Sequence, residues 1–285
     1  MTQSVFSSEA LADFASLYPE RPGVIAHDLT SHPLFELESL VALAQRMKPE
    51  TVEYNRADLP IGIDPADIPD NGLSAADTIR SIEQNGSWMV LKFVEQDPLY
   101  RALLEETLAE LRVVVDPATG PMLHLEGFIF VSSPDAVTPF HFDPEHNLLL
   151  QIRGSKVMTV LPARDESIVA GTHHETYHMG GHRNLPWQDE FAAKGTPFAL
   201  SPGQAIHVPV KAPHWVKNGP ALSISFSITW RSRWSYQEAD ARGMNHVLRK
   251  LGVEPRAPRA YPDHNDAKSV AYRLIRKAKG VLGKG

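Results

Sequence analysis

From about Phe128 to Trp230 the chain is a succession of short apolar runs, GFIFVSS, NLLLQI, KVMTVLP, AIHVPV and ALSISFSITW, separated by Gly, Pro and Asp. Runs of this length, rich in β-branched and aromatic residues and cut by turn formers, read as strands. Several of them in series predict a sandwich or jelly roll.

The flanks have a different texture. Before the β region, helix-like and strand-like pieces alternate. Helices are predicted at Ser8–Leu17, from about Pro33 to Met47 with Ser31 as cap, and from near Ser74. Val24–Ala26, Val52–Tyr54 and Ser87–Val94 read as extended, and the proline-rich run from Leu59 to Asn71 as a loop. Asp97-Pro98 opens a strong helix, Asp capping and Pro in the first turn, which is predicted to end near Leu111. After Trp230 two more helices are predicted, at about 236–251 and 267–282. The expected organisation is one structural domain, mainly β with α extensions. It comprises an N-terminal helical, α/β extension (1–120), a jelly-roll barrel carrying the chemistry (121–232), and C-terminal helices (233–285).

Composition narrows the function. With 285 residues, 42% of them hydrophobic, the chain can bury a full core. It contains no cysteine, which excludes disulfides, iron–sulfur clusters, cysteine zinc sites and thiol nucleophiles. Its 28 Lys+Arg against 34 Asp+Glu give a net charge of −6, which argues against a nucleic-acid partner. Glu9 and Asp13 interrupt any signal-peptide core, and no stretch approaches the ~20 apolar residues of a membrane helix. A cytoplasmic protein without a membrane partner is expected.

No GxSxG elbow, GxxxxGK[ST] loop or GxGxxG turn occurs. Histidine is abundant instead, and eight of the 13 lie between positions 141 and 214. Two histidine signals compete. His141-Phe-Asp143 places two ligands at a spacing that shares one face of a strand. With a distant His214 it makes a two-His-one-carboxylate set, which covers one face of Fe(II) and leaves positions open for a cosubstrate and O2. Alone the pattern is weak, because His-x-Asp/Glu recurs at His124/Glu126, His173/Glu175 and His264/Asp266. The second signal, His174-Glu175-Thr-Tyr-His178, is a formal HExxH of the zinc-peptidase type. Gly171 before it and Gly180-Gly181 after it leave little room for the helix that motif needs. A His-rich loop between strands, a candidate lid over the pocket, is expected there.

The surroundings decide for the first signal. The stretch from Val137 to Lys156, VTPFHFDPEHNLLLQIRGSK, and the later run SPGQAIHVPVKAPHW around His214 resemble the JmjC-type, cupin-like Fe(II)- and 2-oxoglutarate-dependent oxygenases. They resemble especially the asparaginyl hydroxylase of hypoxia-inducible factor. The resemblance covers about 128–230 and implies a double-stranded β-helix with His141, Asp143 and His214 as metal ligands. It further implies that Thr138, Asn147 and Lys156 bind 2-oxoglutarate, Lys156 pairing with its distal carboxylate. The cofactors implied are Fe(II), 2-oxoglutarate as cosubstrate, and O2. The last strand, Ser223–Trp230, departs from that hydroxylase, and its sequence leaves open whether Ser225 and Ser227 or Phe226 and Ile228 face the cavity.

The expected function is a 2-oxoglutarate-dependent dioxygenase, a hydroxylase of a peptide, amino acid or small molecule. A non-catalytic cupin-like metal-binding or regulatory protein, or a zinc peptidase using Glu175, are the alternatives. Tyr54, Trp88, His124, His146, His207 and Trp215 are expected to be structural, His207 being the best placed to support the site from behind. Apolar stripes at Tyr236, Met244, Val247, Leu248 and Leu251, and at Val270, Leu274, Ile275, Val281 and Leu282, predict a homodimer through the C-terminal helices. Lys268, Arg273, Arg276, Lys277, Lys279 and Lys284 read as a solvated face of the last helix.

Overall fold

The computed structural model describes residues 4–282. The side chains of Lys279, Val281 and Leu282, and all of Lys284, lie outside the described residues. Eight strands form the barrel: β4 (Leu123–Ser132), β5 (Val137–His141), β6 (His146–Arg153), β7 (Lys156–Val160), β8 (Thr196–Leu200), β9 (Gln204–Val208), β10 (His214–Asn218) and β11 (Ser223–Arg231). They make two facing antiparallel sheets, β9-β6-β11-β4 and β5-β10-β7-β8. This is the double-stranded β-helix. The first sheet is widened by β1 (Gly23–Ala26) on one edge and by β3 (Ser87–Lys92) and β2 (Val52–Arg56) on the other, giving seven strands.

Strand β11 shows how the sequence is sorted between the faces. All nine of its residues are buried. Ile224, Phe226, Ile228 and Trp230 join the main core under the N-terminal helices, whereas Ser227 and Thr229 line the barrel cavity. The alternation left open by the sequence is therefore resolved: the hydroxyls face in. The helices α1 (Ser8–Leu17), α2 (Leu37–Arg46) and α4 (Pro98–Thr119) supply Phe14, Leu40, Leu43, Tyr100, Leu104 and Leu108 to the outer face. Each such large side chain, once buried, contributes roughly 1.5–3 kcal/mol. A second apolar cluster inside the barrel joins Leu149, Ile206 and Val208 to Met158, Val160 and Val216 of the opposite sheet.

Several boundaries differ from expectation, each for a local reason. Helix α4 continues past Leu111 to Thr119, because Leu111, Val115 and Thr119 keep the four-residue stripe buried. Tertiary burial there outweighs the β-branched Val113–Val115 run and Pro117. The second predicted helix divides into a single turn at Pro33–Phe35 and α2, and its first turn is capped by the His32 ring rather than Ser31. Helix α3 (Ala75–Arg80) starts at its Ser74 cap. The His-rich segment contains a short helix, α5 (Gly171–Tyr177), where a loop was expected. After the barrel come α6 (Arg233–Lys250), opened by a Ser232/Ser235 capping box, and α7 (Asp266–Leu282).

Candidate metal centre

His141 is the last residue of β5 and His214 the first of β10, and the antiparallel register pairs them directly. Their rings lie side by side, centroids 4.2 Å apart. Asp143 follows just beyond the strand. Phe140 and Phe142 turn the other way into an apolar cluster with Leu161, Ile168 and Phe191, which drives the two ligands between them toward the cavity. Asp143 Oδ2 sits 3.7 Å from His141 Nε2 and 3.6 Å from His214 Nε2. These distances are too long for hydrogen bonds. One donor atom from each of the three residues lies within 4.8 Å of the others, and no other such group of three occurs among the described residues.

The imidazoles are oriented by backbone acceptors. His141 Nδ1 lies 2.7 Å from the Pro139 carbonyl and His214 Nδ1 2.9 Å from that of Ala212. A carbonyl can only accept, so each Nδ1 carries a proton and Nε2 is the ring nitrogen turned to Asp143 and the cavity. Burial, reinforced by neighbouring His214, pulls His141 down to about 4, which keeps it neutral and able to ligate. Burial alone would raise Asp143, but the Arg183 guanidinium, 2.5 Å from Oδ1, holds it well below the usual carboxylate range. Two imidazole nitrogens and one ionised carboxylate oxygen, converging without bonding one another, fit a divalent metal of the Fe(II) type.

Behind the triad, one cavity of about 420 Å³ contains Thr138, Asn147 and Lys156 as well as His141, Asp143 and His214. Asn147 is held by the Ser227 hydroxyl, which donates to its Oδ1 at 2.9 Å. Lys156, the first residue of β7, is 6% exposed. Burial pulls it down to about 7, and no carboxylate among the described residues opposes the effect. A buried ammonium without a counter-ion is costly, and an entering carboxylate relieves it. All six candidate residues therefore share one cavity.

Other wall residues escaped the sequence reading. Trp88, expected to be structural, lines the cavity with Val90 and Lys92, while Met89 and Leu91 face the core. The period-2 alternation of SWMVLK carried that signal. Phe128 and Phe130 of the neighbouring strand extend the same wall, and Arg183 reaches in from the His-rich insert. Conversely, His207 does not support the site. It is on the outer face of β9, its Nδ1 bound to the Arg21 carbonyl and its ring against Phe14 and Tyr18. His146 likewise lies outside the cavity, stacked on Trp230. Tyr54 packs at the edge of the main core, and Trp215 packs against Trp187. His124 pairs with Glu126 at the surface.

The HExxH residues form no metal group. His174 packs on Phe142, His178 contacts the Lys211 ammonium at 2.9 Å, and Glu175 is buried against Arg249 of α6 at 3.0 Å. A water-activating Glu needs an open metal site, and this one is committed to an ion pair.

No family model matches the sequence. Solved structures of a similar architecture do exist, and they are oxygenases. The structure of YcfD from Escherichia coli aligns with a TM-score of 0.54 at 17% identity, covering 96% of this chain and 69% of that one. YcfD is described as a ribosomal oxygenase, and its complex with cobalt and 2-oxoglutarate aligns with a TM-score of 0.51 at 16% identity, covering 96% of this chain and 67% of that one. Its complex with cobalt and succinic acid gives 0.50 at 16%, with 95% and 67% covered. This chain thus shares the double-stranded β-helix fold of YcfD.

Proposed function

We propose that this protein is an Fe(II)- and 2-oxoglutarate-dependent oxygenase, a hydroxylase of a peptide, amino-acid or small-molecule substrate. One observation carries the reading: three converging ligands share a cavity with a buried lysine that has no counter-ion among the described residues. His141, Asp143 and His214 would hold the metal, which supplies the redox chemistry coupling oxidative decarboxylation of 2-oxoglutarate by O2 to C–H hydroxylation. Lys156 would meet the distal carboxylate, with Thr138 and Asn147 alongside it. The aromatic wall of Trp88, Phe128 and Phe130 excludes water where the substrate enters. The likeness to a ribosomal oxygenase favours a protein side chain as substrate.

The chain would work as one domain in the cytoplasm; no described helix is long and apolar enough to cross a membrane. A homodimer through the C-terminal helices is supported by exposed Val270 and Leu274 on α7 and by exposed Leu251 and Val253 just after α6. An anaerobic titration tests the main reading. Fe(II) with 2-oxoglutarate should produce a visible charge-transfer band, and O2 should then convert 2-oxoglutarate to succinate. Absence of the band refutes the reading; a band without turnover across peptide and amino-acid libraries favours a non-catalytic metal-binding protein.

A further inference from the structure

The turn between β9 and β10 holds an unusual residue. Lys211 is in the left-handed backbone region, with φ at +62°, yet is only 3% exposed. A glycine would adopt that conformation without steric cost, so the position gains something from its side chain. Its ammonium supplies that gain, while its backbone holds a metal-site residue. Its backbone N–H donates to the carbonyl of Asp143 at 2.7 Å. Its ammonium lies 2.5 Å from Glu238 Oε2 on α6 and 2.9 Å from His178 Nε2 at the end of α5. Glu238 in turn accepts from Arg242 Nε at 2.9 Å. Three residues after Lys211 the chain reaches His214.

Lys211 therefore touches one metal ligand through its backbone, leads directly into another, and is anchored by its side chain to helices outside the barrel. The unused HExxH motif is part of the same anchorage: His178 meets the ammonium, and Glu175 ties α5 to Arg249 of α6.

We propose that Lys211 is a positioning residue for the metal triad: its buried ion pair with Glu238 fixes the turn that grips Asp143 and delivers His214. The proposal rests on reading the triad as a metal centre. Helix α6 is then part of the metal site, although it supplies no ligand.

Cobalt(II) binding to the full chain, followed by visible d–d absorption and calorimetry, tests this without turnover. Wild-type protein should take up one equivalent; if it takes up none, the metal-centre reading fails and the role of Lys211 with it. Lys211→Met alone strands a buried carboxylate, so the informative variant is Lys211→Met/Glu238→Gln, which removes both charges. It should remain folded by thermal melting, bind Co(II) roughly 10–100-fold more weakly, and show a changed d–d spectrum. Lys211→Arg, which can still pair with Glu238, should recover most of the affinity. A purely structural role would lower the melting temperature and leave affinity and spectrum alone. Wild-type affinity and spectrum in the folded double variant overturn the proposal. If the double variant does not fold, Glu238→Gln decides: weakened Co(II) binding supports the proposal, and unchanged binding overturns it.

Discussion

Replacing Lys156 with methionine should raise the stability of the ligand-free protein while sharply weakening 2-oxoglutarate binding. The ammonium is buried, has no counter-ion, and is pulled down to about 7 from its ordinary 10.5. That displacement corresponds to ~5 kcal/mol of folding free energy at pH values below 7. Its sign follows from proton counting. Between pH 7 and 10.5 the unfolded chain holds a proton that the folded chain has released, so this residue makes stability rise with pH across that window. Methionine conserves volume and carries no charge, so the variant should melt higher than wild type near neutral pH and lose that pH slope. Binding should move the other way. Truncating one member of a desolvated charge pair costs ~2–5 kcal/mol, or about 30-fold to several-thousand-fold in Kd. Because the free lysine is only partly protonated near pH 7, a dicarboxylate must draw in a fraction of a proton there, approaching a whole one at higher pH. Wild-type affinity should then fall roughly tenfold per pH unit above 7. Calorimetry of the metal-loaded protein in two buffers of different ionisation enthalpy measures both the affinity and the proton uptake. Wild-type affinity in Lys156→Met, or a lower melting temperature for the ligand-free variant, would refute the reasoning.

Three further outcomes are expected. His141→Ala should abolish stoichiometric iron or cobalt binding, measured by metal analysis after desalting, without unfolding the barrel; retained stoichiometry would remove it from the ligand set. Glu175→Gln should leave metal stoichiometry unchanged and cost ~1–3 kcal/mol of stability in denaturant titrations, since it weakens a charge-assisted bond from Arg249 to a buried carboxylate. Light scattering at micromolar concentration should give twice the 31.6 kDa chain mass. Leu274→Asp, on an exposed face of α7, should reduce it to one, and a monomeric wild type disposes of the dimer.

The candidate site was legible to an unusual depth. His141 and Asp143 follow from strand periodicity, Thr138, Asn147 and Lys156 follow only from the family resemblance, and the long-range pairing of β5 with β10 brings His214 to the same cavity. Less legible were residues whose roles depend on what packs beside them. Trp88 and His207 both sit on strands with buried neighbours, yet one faces the cavity and the other the helical layer. Periodicity says that alternate residues share a face; it does not say which face is inside.

The HExxH segment makes the same point about chemistry. Its flanking glycines predicted a loop, and its residue types suggested zinc. Tertiary contacts made it a helix that binds α6 through Glu175 and touches Lys211 through His178. The sequence by itself determined the alternating strands and the His141-Phe-Asp143 spacing, because both follow from backbone geometry within short segments. Only the tertiary structure decided the orientation of each sheet face, the continuation of α4 beyond Leu111, the Arg183 contact to Asp143, and the buried ion pair of Lys211 with Glu238. Those depend on partners tens of residues away, and burial energies there exceed the local preferences that a sequence reveals.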